Sequence, residues 1–89
     1  MRDITEVWQR IKAHNGEAFR TKTGLPFTYD VAGNTIVVSR SPTYPFPSSQ
    51  FEKALERVPV AGPNDLHDLR APPYLWAILH DPRIRMNDW

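Results

Sequence analysis

Residues 19–40 read FRTKTGLPFTYDVAGNTIVVSR, and the reading of this run decides the fold. Phe27, Tyr29 and Val31 alternate with Thr28 and Asp30, the period-2 pattern of a strand with one buried face. Ile36 and Val38 alternate with Val37 and Ser39 in the same way. Between the two runs stands Gly33-Asn34, and glycine at the first central position suits a type II′ hairpin turn. That turn sets Val31 opposite Ile36, Tyr29 opposite Val38 and Phe27 opposite Arg40. Phe27, Tyr29, Val31, Ile36 and Val38 then share one face, and Thr28, Asp30, Val37 and Ser39 line the other.

Upstream, 19–21 reads as a further short strand, and Thr23-Gly24 turns the chain back toward Phe27. Pro26 has no N–H for a ladder, so it belongs at a strand start or an edge. The expectation is a three-stranded antiparallel meander over 19–21, 27–31 and 35–40. Before it, Ile4, Val7, Trp8 and Ile11 fall at i, i+3, i+4 and i+7, the stripe of an amphipathic helix. Asp3 caps this helix with Glu6 three residues on, and Asn15-Gly16 supplies its exit.

Beyond Arg40, RSPTYPFP reads as an irregular extended segment anchored by Tyr44 and Phe46. A second helix follows, with Ser49 and Glu52 at capping-box spacing, an apolar face of Phe51, Ala54, Leu55 and Val58, and Pro59 as its stop. Residues 60–70 read as a loop holding a helical turn begun by Asn64 and pinned by Leu66 and Leu69. Pro72-Pro73 opens a third helix, apolar nearly all round from Tyr74 to Leu79, and Asp81-Pro82 ends it. The tail 82–89 docks as an edge strand or stays loose.

The fold class is therefore α+β: an N-terminal helix, a three-stranded antiparallel meander, then two short helices on one face of the sheet. Eighty-nine residues hold a single domain over 1–89. The winged-helix order does not suit it, because the hairpin precedes two of the three helices. The runs GEAFRTKTGLPFTY, FEKALERVP and PYLWAIL resemble those of compact bacterial domains.

Composition narrows the function. A net charge of +1 excludes a global field toward nucleic acid or membrane, so any such partner needs a local patch. The absence of cysteine excludes disulfides and thiolate metal sites. With no apolar run near the roughly 18 residues of a membrane span and no signal-peptide core, the expected location is the cytoplasm. His14, His67 and His80 lack metal-ligand spacing, so neither a metal nor a cofactor is expected. The hydroxyls are explained by caps, turns and strand propensity. Among carboxylates, nothing in the spacing of Glu17, Asp30 and Asp68 marks acid–base work, so an enzyme is the third reading.

Two binding readings stand above it. Arg20, Lys22 and Arg40, with Thr28 and Ser39 around them, form a phosphate-contacting surface on the hairpin, which makes nucleic acid the first expected partner. Alternatively, Tyr44, Phe46 and Trp76, with the proline-rich run 41–47, form an aromatic protein-interaction surface.

Overall fold

A computed structural model describes residues 3–89, and of residues 41–44 the backbone path only. The hairpin forms in the expected register. Strands β3 (Tyr29–Ala32) and β4 (Thr35–Val38) pair antiparallel with Val31 opposite Ile36 and Tyr29 opposite Val38. Gly33 takes φ +61° while Asn34 stays out of the left-handed region, the combination a type II′ turn needs. Tyr29, Ile36 and Val38 are buried and Val31 half-buried, whereas Asp30 and Ser39 on the opposite face are exposed.

The meander exists, but its members differ from those the alternation suggests. The run 27–31 is interrupted at Thr28. Its first part, β2 (Pro26–Phe27), pairs antiparallel with β1 (Phe19–Arg20) as a separate two-stranded ribbon. The interruption has a local cause. The Thr28 N–H donates to Ser39 Oγ at 3.0 Å, and the Ser39 N–H donates to the Thr28 carbonyl at 2.9 Å. A side-chain oxygen thus stands in for a ladder acceptor, and the regular ladder stops there.

The third strand of the meander is β5 (Ser41–Pro47), giving the order β3-β4-β5 with a register shift between Ile36 and Val38. Its prolines suit an edge strand, because only one side of β5 needs ladder bonds. The segment expected to be irregular is therefore a strand, and Phe46, 1 % exposed, anchors it as expected.

Helix α1 (Ile4–Ala13) is capped by Asp3, whose carboxylate accepts the Thr5 N–H at 2.9 Å. Val7, Trp8 and Ile11 enter the core. Hydrogen bonds tie this helix to the hairpin at both ends. The Trp8 indole N–H donates to the Gly33 carbonyl at 3.1 Å, and the Tyr29 hydroxyl to the Ile11 carbonyl at 2.6 Å. Helix α2 (Ser48–Leu55) begins one residue before the expected cap. The expected Ser49–Glu52 box does not form: Pro47 stands at the cap with no side-chain cap bond, and the Ser48 N–H donates to the Asn34 carbonyl at 2.7 Å.

A 3₁₀ turn over Pro63–Leu66 buries Leu66. Helix α3 (Pro72–His80) starts on its two prolines and buries Leu75, Ala77, Ile78 and Leu79. The tail is neither strand nor loose end. Asp81 caps a last turn, α4 (Pro82–Arg85), by accepting the Arg83 N–H at 2.9 Å. Ile84 is buried, and the Trp89 indole donates to the Leu79 carbonyl at 2.7 Å. Helices α1 and α3 both pack against α2 and α4, and α3 also touches β1.

Candidate functional site

The ribbon β1–β2 and the end of β4 gather the basic residues singled out in the sequence. Arg20 is the ladder partner of Pro26. Its Nη1 donates to the Gly24 carbonyl at 3.0 Å, and Arg40 Nε donates to the Pro26 carbonyl at 2.7 Å. The two guanidinium groups thus hold the carbonyls on either side of Leu25. Thr28 and Ser39 lock to each other immediately next to Arg40, with Ser39 and Arg40 exposed and Thr28 half-buried. Arg20, Arg40, Thr28 and Ser39 therefore come together. Lys22 leans elsewhere. Its Nζ donates to the Ala61 carbonyl at 3.0 Å and lies 6.0 Å from the Trp76 ring centroid. Gly62 is what lets it lie there, since a Cβ at that position would come within 2.8 Å of Lys22 Nζ.

The electrostatics separate the arginines into two sets. Arg10 pairs with Glu6 and Asp88, Arg57 binds Asp68 through both terminal nitrogens, and Arg83 pairs with Asp81 and Glu17. Hydrogen bonds from Arg57 hold the Asp68 carboxyl down at about 2. Arg20, Arg40 and Arg70, by contrast, bond to backbone carbonyls and form no ion pair with a carboxylate among the described residues. A carbonyl orients a guanidinium without cancelling its charge, and most of its five N–H donors stay available.

The aromatic candidates lie elsewhere. Phe46 is in the core, stacked on Phe51 at 5.7 Å, and so is not at the surface as the interaction reading requires. Trp76 is half-buried. It stacks on His80 at 4.7 Å and donates its indole N–H to the Val60 carbonyl at 3.0 Å. The side chain of Tyr44 lies outside the described residues.

The titratable groups weighed for catalysis are dispersed. Asp30 binds the Asn15 amide, Glu17 lies between His14 and Arg83, and Asp68 belongs to Arg57. His67 contacts the Asn64 carbonyl. Both nitrogens of His80 are used by backbone: Nε2 accepts the Val60 N–H at 3.1 Å, and Nδ1 lies 2.9 Å from the Trp76 carbonyl. This pattern requires the neutral ring, and burial pushes its pKa down, with Arg85 adding to the effect. No group of three or more His, Cys, Asp or Glu gathers for a metal, and no helix is long and apolar enough to cross a membrane, among the described residues.

One feature beside the arginines carries no signal in the local sequence pattern. Leu25 is 49 % exposed and forms one wall of a hollow whose other walls come from the Pro63 turn and the start of α3.

The chain matches no known protein family, no curated protein and no solved structure.

Proposed function

We propose that this chain is a non-enzymatic binding domain that contacts the phosphates of nucleic acid through Arg20 and Arg40, in the cytoplasm. One observation carries the reading: these two guanidinium groups flank one exposed residue, each oriented by a carbonyl and neither paired with a carboxylate among the described residues. Oriented cations of this kind suit phosphate oxygens, which accept bidentate bonds from arginine. Ser39 and Thr28 add hydroxyl groups beside them, and Lys22, in the turn after β1, adds a third cation that leans toward Ala61. A net charge of only +1 makes this a local patch whose contacts are few.

The aromatic protein-interaction reading through Tyr44, Phe46 and Trp76 has weaker support, since Phe46 is in the core and the indole N–H of Trp76 is already taken.

The test is a fluorescence titration with a mixed DNA and RNA oligonucleotide pool at several salt concentrations. Affinity that falls linearly on a log–log plot against salt supports phosphate contact, and the Arg20→Ala/Arg40→Ala variant should flatten that slope by roughly 1–2. No binding at low salt overturns the proposal and favours a protein partner instead.

A further inference from the structure

We infer that the hollow beside Leu25 takes a single unstacked base, so that the nucleic acid recognised by this domain is single-stranded; this rests on the phosphate-contacting reading above. The hollow measures about 220 Å³ and is lined by Leu25, Pro63, Pro73 and Tyr74 together with Thr21, Lys22 and Thr23. None of its lining residues is acidic. Its volume falls below the roughly 300–1,000 Å³ of pockets that enclose drug-sized ligands, which suits one planar group rather than a whole metabolite.

Leu25 is held there rather than left there. The Thr21 N–H donates to the Leu25 carbonyl at 2.9 Å, the Leu25 N–H returns to Thr21 Oγ1 at 3.1 Å, and the Gly24 N–H donates to the Thr21 carbonyl at 2.9 Å. Gly24 closes this turn at φ +91°, a conformation that favours glycine. Tyr74 is fixed from below by Phe27, edge to face at 5.0 Å. The apolar walls are thus preformed, and little ordering is required when a flat group enters.

Charge identifies the occupant. The carbonyls gripped by Arg20 and Arg40 are those of Gly24 and Pro26, the neighbours of Leu25 on either side, and Lys22, its ammonium on the Ala61 carbonyl, also lines the hollow. An apolar slot with cations beside it fits a ligand whose planar face is joined to anions, which describes a nucleotide within a strand. In a duplex the bases are stacked on each other and unavailable, whereas a single strand splays them onto apolar and aromatic walls. Thr23, whose hydroxyl lies 3.2 Å from that of Thr21, adds a polar group to the lining.

The test compares wild-type binding to three labelled probes at low salt: a short single strand, the same strand made abasic throughout, and its blunt duplex. The expected result is that the base-bearing strand binds about tenfold more tightly than the abasic strand and more tightly than the duplex. Leu25→Ser should remove most of that margin without changing abasic binding or the salt slope. Equal binding of base-bearing and abasic strands would overturn the base site while leaving the arginine surface intact. Failure of all three probes would overturn both. The abasic comparison uses the unaltered chain, so its outcome does not depend on any variant folding.

Discussion

The chain uses arginine in two ways, and the contrast between the α1–α4 seam and the β1–β2 ribbon separates stability from function. At the seam, Arg10 joins α1 to the tail through the Ile84 carbonyl at 2.9 Å and through Asp88, and Arg83 reaches back to Glu17 and the Ala18 carbonyl. The Arg83 guanidinium also lies 3.9 Å over the Phe19 ring. These cations are neutralised and hold elements together. At the ribbon, Arg20 of β1 and Arg40 beyond β4 meet carbonyls only, those of Gly24 and Pro26. Arg40 ties the end of β4 to β2 through one carbonyl, but neither charge is cancelled, and both are left to act outward.

The sharpest challenge to this division is the aromatic layer that both regions share. Phe19 supports Arg83 on one side and packs on Phe27 and Tyr29 at 6.1 and 5.2 Å. Phe19→Ala should cost about 3–5 kcal/mol, a large part of what a domain this small possesses. Urea denaturation would show it, and a cost below about 1 kcal/mol would mean that the layer is not the shared support.

Next in size, Arg83→Ala should destabilise by about 1 kcal/mol, a value kept small because Arg83 itself and Glu17 are substantially open to solvent, although Asp81 is partly buried. Oligonucleotide affinity should not move. A loss of affinity without a loss of stability would place Arg83 in the binding surface and dissolve the distinction.

Tyr29→Phe removes the hydroxyl that donates to the Ile11 carbonyl and should cost roughly 1 kcal/mol, again with binding unchanged.

The pH dependence sharpens the contrast from another side. Burial lowers the His80 pKa in the folded chain, so between that value and the unfolded value of about 6.5 the unfolded chain binds the additional proton. Stability from this group is complete above about pH 6.5 and is lost as pH falls toward the folded value. Melting curves at about pH 7.5 and about pH 5.5, on either side of that unfolded value, should show the decline, and His80→Gln should reduce it. Arg20→Ala/Arg40→Ala should leave it intact.

Much of this molecule can be read from local pattern. The three main helices, the hairpin register and the Leu66 and Leu69 pins follow from spacing and breakers, because each depends on residues close in sequence. The break at Thr28 does not, since a Ser39 hydroxyl looks no different from a solvent-facing one until the register is set. Pro42, Pro45 and Pro47 disguise β5, whose unpaired side tolerates them. The tail is ambiguous by pattern because its partners, Arg10 and the Leu79 carbonyl, lie on other helices. The arginine pair is legible only in part: Phe27, expected to face Arg40, pairs with Phe19 instead, and Arg40 reaches the Pro26 carbonyl. The hollow is not, because Pro63, Pro73 and Tyr74 reach Leu25 only through tertiary packing.

The smallest stability effect tests the central claim most directly. Arg20→Ala/Arg40→Ala should change unfolding free energy by no more than about 0.5 kcal/mol, as exposed substitutions do, while single-strand affinity at low salt falls steeply. The expected result is that dissociation: a folded, normally melting protein with its salt-dependent binding lost. Retained binding in the double variant, or a loss of binding matched by a loss of stability, would contradict it.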